Sequence, residues 1–404
     1  MIDPGENGAF GAIPAKLPFD CAVVLSPFSW NFRDDMMQTT HYVTQELARR
    51  CPTVLIEPPV QWNPRGEQFR LHRLPQAVFG RRTRSPQPHL LIFHRRGLPF
   101  GRHALPRKFD LARNAKALRR LLQELGFDRT LLWHSFPYWS ESLVEAVDHR
   151  LFAYHCLDHS SREEEERLVR RADAVFCVTK GLVERHLCTN PETHLLPNGV
   201  DLNLFNLEEA RKSLRPADLP KNGRLIGFVG SINCHLDIEL LLSIATAFPR
   251  DHLVLVGRVL TNETAPRGRQ LEALTKLSSL SNVEILGFRP PTQLPAYMHA
   301  FDVCVIPFLA NEFNQERDPL KFYQYFALGK PVVTTPVPVA ERYGDLCYMA
   351  TSEEEFVHSV LLALGEQDRD ARSQARLQVA RSHSWQSLLS QACRTLSALH
   401  SSAA

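Results

Sequence analysis

No hydrophobic run in these 404 residues approaches the roughly 18 residues that a membrane span needs. The N-terminus, MIDPGENGAFG, carries acids and glycines where a signal peptide has a basic start and an apolar core, so none is expected. Paired cysteines are missing too. The nine cysteines are scattered, odd in number and without any C-x-x-C, which excludes a disulfide framework and a zinc motif and leaves buried free thiols in a reducing cytoplasm. The net charge of +3 is too small to suggest a nucleic-acid partner, and no low-complexity tract is present. The nicotinamide fingerprint G-x-G-x-x-G is absent, and so is the P-loop, since Gly329-Lys330 is followed by proline and lacks its upstream glycine. There is no H-E-x-x-H and no D-x-D in a plausible loop. Neither a cofactor nor a metal is therefore expected.

What is there reads as two domains, since the length exceeds one ordinary core. CAVVL at 21–25 reads as a buried strand, 36–50 as a helix and 53–56 as a second buried strand ending in Glu57-Pro58-Pro59. Strand, helix, strand in about 40 residues is a βαβ unit with a parallel sheet. A second series begins at 225–229 and runs through strands at 253–256, 283–286 and 303–307. The expected fold class is α/β, with a mobile tail over 1–18, a first domain over 19–205, a Pro-bearing linker over 206–224, a second domain over 225–384 and a last helix over 385–404.

The stretch 318–335, DPLKFYQYFALGKPVVTT, carries the most chemistry. Asp318 is placed as a helix N-cap and Pro319 as the first helical residue. Leu320, Tyr323 and Ala327 share a face, Gly329 ends the helix in a left-handed cap, and 332–335 reads as a short buried strand. Lys321 sits in the first turn, where the helix dipole disfavours a cation. Two readings stand: an incidental lysine on a polar face, or a lysine that shares its site with a phosphate gripped by free N–H groups. Gln324 lies beside it, three residues on.

This stretch resembles the donor-binding segment of retaining glycosyltransferases of the GT-B fold, family 4 (glycosyl transferases group 1). The closest branch has the pattern P-[LF]-K-[LF]-[YF]-E-Y-[LM]-A-x-G-K-P-V-V. Gln324 stands where that pattern has glutamate, so the family's E-x7-E spacing becomes Glu316…Gln324. The order W…H…strand…E-P-P near the start and P-N-G-V-D at 197–201 are similar to the same branch. The resemblance implies two Rossmann-like domains facing across a cleft, and a nucleotide-diphosphate sugar as donor. It implies transfer to a glycan or lipid-linked acceptor with retention, in cell-surface polysaccharide or glycoconjugate assembly. It makes Gly230, Ser231, Pro319, Leu320, Lys321 and Gln324 donor-binding, with Glu316 and Lys321 in catalytic positions. Family members place Arg and Lys shortly after the glycine, whereas here the segment reads SINCHLDIE. The diphosphate is left to Lys321, to backbone N–H groups around Pro319 and to Arg258, which reads equally as an ordinary surface arginine.

His134 follows the strand at 131–133, in territory where open α/β sheets bind ligands. It reads either as a core histidine or, by the resemblance, as a catalytic residue facing the acceptor. Segment 61–108 holds ten arginines and Lys108 against the single acid Glu67. It reads as a solvated insertion or as a surface for anionic headgroups or a polyphosphate acceptor, which would set a cytoplasmic protein peripherally at the inner face of a membrane. Two rivals to transfer remain: a nucleotide-sugar 2-epimerase on the same fold, and a degenerate transferase kept as a binding scaffold, motivated by Gln324.

Overall fold

The computed structural model describes residues 17–30, 38–58, 83–95, 104–137, 144–158, 160, 163–261, 264–366 and 371–402. Short runs such as CAVVL and HLVLV are apolar at nearly every position. Such strands bury both faces, and they do so by forming parallel sheets covered by helices on either side. The first sheet has eight strands: β1 (Cys21–Leu25), β2 (Thr53–Glu57), β3 (Thr83–Gln87), β4 (Leu90–His94), β5 (Thr130–Ser135), β6 (Leu151–Cys156), β7 (Ala174–Cys177) and β8 (Thr193–Leu195). Their order is β3-β4-β2-β1-β5-β6-β7-β8, and every pair is parallel except β3 with β4. The second sheet has six strands: β9 (Leu225–Val229), β10 (His252–Val256), β11 (Val283–Gly287), β12 (Val303–Ile306), β13 (Val332–Thr334) and β14 (Tyr348–Met349). It is parallel throughout, in the order β11-β10-β9-β12-β13-β14.

Both orders reverse direction once, between β1 and β5 and between β9 and β12. Ligands of open parallel sheets bind beyond the carboxyl ends of strands at such switch points. The chain turns there through Gly230-Ser231 after β9, and it reaches the Leu320–Ala327 helix from β12.

Apolar clusters cover both faces of the first sheet. One contains Leu118, Leu132, Phe152 and Tyr154. The other contains Trp30, Tyr42, Trp133 and Phe176, together with Trp385, Leu388, Leu389 and Leu396 from the last helix, Trp385–Ser402. That helix starts where Ser384 pairs with Val200 and returns to the first sheet, stacking Trp385 on Tyr42 with ring centroids 5.3 Å apart. Arg50 ties it down through the Gln386 carbonyl at 3.0 Å.

Three local readings change. Segment 61–108 is not merely an insertion: LLIF at 90–93 belongs to β4, paired with β2, because a buried slot beside β2 rewards an apolar strand. β3, with Arg84 its single charged residue, forms the exposed edge, and 59–82 and 96–103 lie outside the described residues, as do residues 1–16 of the tail expected over 1–18. The helix expected from 110 begins at Ala104. Segment 206–224 is more than a connector, because it contains the Leu207–Lys212 helix. Asp218 accepts from Arg289 at 2.6 Å and from Tyr297 at 2.8 Å, which fastens the segment to the second sheet's helices.

Trp385→Ala removes a fully buried indole from the seam between the last helix and the first sheet. Large aromatic deletions in cores cost about 3–5 kcal/mol. Urea unfolding should show a loss of that size, and a loss under about 1 kcal/mol would show that the helix is not held by this ring.

Candidate functional site: a cleft between the two sheets

The site is built around the Leu320–Ala327 helix. Phe322, Tyr323, Tyr325 and Phe326 are buried in the second domain, while Lys321 and Gln324 remain partly exposed on the other face. Gly329, with φ of 69°, ends the helix in the left-handed conformation that glycine adopts without penalty. The start differs from the local expectation. Pro319 is the cap position, Leu320 the first helical residue, and no side chain caps the helix. Asp318 has turned away to a stronger set of donors. Its Oδ2 accepts the backbone N–H of Asn198 at 2.6 Å, and its carboxylate accepts the Tyr323 hydroxyl at 3.0 Å. Asn198 also donates its side-chain amide to the Asp318 carbonyl at 2.5 Å, while its Oδ1 accepts Thr39 Oγ1 at 2.6 Å. The N–H groups of the first helical turn are thereby left without a side-chain acceptor.

Lys321 meets Gly230 as the sequence spacing could not show. A Cβ on Gly230 would lie 2.5 Å from Lys321 Nζ, so only glycine lets the ammonium rest on this turn. Gly230 has φ of 147°, outside the range L side chains favour. Nζ also sits 4.1 Å from the centroid of Phe228 and 5.1 Å from that of Phe308. Burial and the neighbouring Arg317 push Lys321 well below the ordinary lysine range. It has no hydrogen bond or ion pair among the described residues.

Arg317 was not singled out by sequence, since one arginine before a D-P-L-K run carries no distinguishing spacing. Its guanidinium lies over Phe308 at 5.2 Å and over Phe313 at 5.0 Å, so the Phe308 ring is shared with Lys321. Phe313 in turn stacks on His235, with centroids 4.3 Å apart. The charge facing Arg317 comes from the other domain. Asp158, just beyond β6, has a carboxyl that burial raises to about 6 and that Arg317 partly restrains. Two cations converging on one ring, with one carboxylate opposite, make a site whose potential favours a multivalent anion.

The other expected residues fall as follows. Ser231 is half-buried beside Gly230, and Pro319 is buried. Leu320, partly buried, packs against the first sheet's apolar cluster, so its side chain bridges the domains. Glu316 does not stand open either, because Arg185, from the Lys180–Leu187 helix of the first domain, donates to it at 2.8 Å. Arg258 is exposed and stacks over Phe288 at 4.3 Å. The Gln324 side chain makes no hydrogen bond to a described residue.

His134 is a correction to the acceptor-facing expectation. It lies within β5, not beyond it, is fully buried, and packs near Phe152 and Tyr154 at 6.4 and 6.0 Å. Residues 130, 132 and 134 alternate onto one of the sheet's two covered faces, and burial pushes the His134 ring down to about 3. The residues near the carboxyl ends of β1 and β5 are aromatic instead. Phe28 and Phe136, both partly exposed, meet edge to face at 5.9 Å, and Phe136 holds φ of 70°. Behind them Trp30 lies edge-on to His41 at 5.6 Å, and Glu57 accepts the Trp30 N–H and binds His94 at 2.7 Å. Trp30, His41 and Glu57 are the residues of the early W…H…E-P-P pattern.

Residues 223–366 match the family described as "Glycosyl transferases group 1". The chain is 25% identical over 291 residues to "Putative teichuronic acid biosynthesis glycosyltransferase TuaH" of Bacillus subtilis, covering 65% of this chain and 71% of that one. It spans about half or less of the further curated relatives it matches, between 39% and 49% of their length. Among solved structures, sucrose-phosphate synthase from Thermosynechococcus elongatus aligns with a TM-score of 0.69 at 16% identity, over 95% of this chain and all of that one. Anabaena HepE in complex with UDP-glucose aligns with a TM-score of 0.63 at 17% identity, over 94% and 99% of the two chains. The fold is GT-B, with two parallel-sheet domains. The match over 223–366 and the relatives are those of a glycosyltransferase. Among the described residues no helix is long and apolar enough to cross a membrane.

Burial raises the Asp318 carboxyl to about 7 against the ordinary carboxylate value. The native state therefore keeps this proton to near neutrality, while the unfolded chain releases it near pH 4. Between about pH 4 and pH 7 the unfolded state is favoured progressively, so stability from this group falls as pH rises and levels off above 7. Asp318→Asn should flatten that part of the profile in urea midpoints measured across the range. An unchanged slope would show that Asp318 ionises normally.

Proposed function

We propose that the chain moves a sugar from a nucleotide-diphosphate sugar to a glycan or lipid-linked acceptor, with retention, as a family 4-type transferase in surface polysaccharide assembly. The observation that carries this reading is the seat of Lys321 Nζ on the Gly230 turn, with Arg317 sharing the Phe308 ring beside it. A diphosphate placed there would meet two cations and the uncapped first-turn N–H groups of the helix, an arrangement that stabilises a leaving anion by preorganised charge. Gly230 and Ser231 supply backbone to the diphosphate, and Gln324, one turn along, supplies an amide to the donor ribose. HepE, on the same fold, is described with UDP-glucose bound, which supports a uridine nucleotide as the first donor to try.

In the proposed step the bond from the anomeric carbon to the diphosphate oxygen breaks, and the acceptor oxygen bonds to that carbon from the same face. The acceptor proton passes to the departing diphosphate, so no side-chain base is needed. The partly exposed Phe28 and Phe136 rings offer an apolar shelf for an acceptor on the first domain's side. The ten arginines in the sequence of segment 61–108, with Arg84 on the exposed edge strand β3, support docking at anionic headgroups on the inner face of a membrane.

Lys321→Ala should weaken nucleoside-diphosphate binding by roughly 1.5–3 kcal/mol while leaving nucleoside binding nearly unchanged, measured by calorimetry. Equal losses for both ligands would remove the diphosphate from this site.

A glutamine offers the ribose one acceptor oxygen and a donor NH2, where glutamate offers acceptors only. Gln324→Glu should keep activity within about tenfold, or roughly 1.4 kcal/mol, and Gln324→Ala should raise the donor Michaelis constant. If neither variant changes donor binding, Gln324 does not face the ribose, and the scaffold reading gains ground.

A further inference from the structure

The first domain holds a buried cluster that the transfer reaction does not use. Cys156 at the end of β6, Glu165 in the Glu163–Arg171 helix and His186 in the Lys180–Leu187 helix are all buried, and their ligand atoms lie within 4.8 Å of one another. Cys156 Sγ is 3.5 Å from Glu165 Oε1 and 3.7 Å from His186 Nε2. A tetrahedral ion with a sulfur bond of about 2.3 Å and nitrogen or oxygen bonds of about 2.0–2.1 Å requires ligand-to-ligand edges of about 3.5 Å. Cys177, fully buried on β7 directly opposite Cys156 in the parallel pairing, is a neighbour of Cys156 and stands outside the group of three ligand atoms. Tyr154 donates its hydroxyl to Glu165 Oε1 at 2.7 Å, the outer contact that commonly orients a ligating carboxylate.

The geometry points to a structural divalent-cation site for a borderline-soft ion such as Zn2+, held by Cys156, Glu165 and His186. The scattered cysteines hid it. Its three ligands come from one strand and two helices, at positions 156, 165 and 186, with no short metal spacing among them. Thiolate, imidazole and carboxylate together suit zinc better than magnesium or calcium, which prefer oxygen ligands. With every ligand buried, the ion would be structural and not catalytic. Binding would release the Cys156 thiol proton to solvent, so affinity would rise with pH.

The placement gives the ion a purpose. Asp158, two residues past Cys156, faces Arg317, and Arg185, next to His186, pairs with Glu316. One ion would therefore brace both of these first-domain groups, which reach across the cleft.

The full chain, chelator-treated and kept reduced, is titrated with Co2+ alone. One equivalent should produce a thiolate-to-cobalt charge-transfer band with tetrahedral ligand-field absorption, and Zn2+ should bleach both. Cys156→Ser and His186→Gln should each weaken Co2+ binding by more than about tenfold, and Tyr154→Phe by about tenfold with the band shape kept. Cys188→Ser and Cys234→Ser, at more accessible thiols, should change nothing. A reduced and folded wild-type chain that gives no thiolate band overturns the assignment. So does a band that survives Cys156→Ser and disappears with Cys188→Ser or Cys234→Ser.

Discussion

The joint between Asn198 and Asp318 sets the geometry of the cleft. Asn198 ends the first domain's strand series and Asp318 opens the helix that carries Lys321. Two hydrogen bonds at 2.6 and 2.5 Å, shielded from solvent, fix one against the other. Buried polar groups must be paired, and a carboxylate taken out of water is worth keeping only where donors replace its hydration. Here one donor, the Tyr323 hydroxyl, is local and the other, the Asn198 N–H, comes from the other domain, so satisfying Asp318 in full also closes the cleft. Thr39 adds the first helix of the chain to the joint. Substitution on either side would move Lys321 without touching it.

Around this joint the charges are sorted by what faces them. Glu316 is compensated by Arg185, a cross-domain pair that holds the walls together. Lys321 rests on glycine and aromatic faces, and Arg317 has ring faces and one opposing carboxyl that is itself raised by burial. Ring faces attract a cation more weakly than a carboxylate does, especially once water is excluded. A desolvated ammonium held this way gains more from an arriving anion than one already paired would. The same low-dielectric setting that depresses Lys321 would strengthen its grip on a diphosphate.

The first domain's inner wall follows a different rule. Glu57 gathers Trp30, His94 and Arg84 at the end of β2, and this buried carboxylate, held below its ordinary value by His94 and the Trp30 N–H despite burial, shapes the loop after β1. Phe28 is brought against Phe136 as a consequence. The aromatic surface at this end of the sheet is set by an ion cluster behind it.

The sequence by itself determined the α/β class, the apolar central strands and the left-handed end at Gly329, because apolar runs and glycine placement act over a few residues. CAVVL occupies β1 at the bounds its composition marks, and Gly230 and Lys321 are donor-side expectations from two separate stretches that the fold brings into contact. Only the tertiary structure decided where long-range partners lie. Asp318 abandoned a local cap because Asn198, 120 residues away, offers donors that the helix end does not. His134 went into the core because the register of β5 turns alternate residues under the covering helices, which a strand end read in isolation does not reveal. LLIF at 90–93 joined the sheet because β2 had an open edge. Arg317, Asp158 and the Cys156–Glu165–His186 cluster are juxtapositions of separate elements, and no spacing along the chain encodes them.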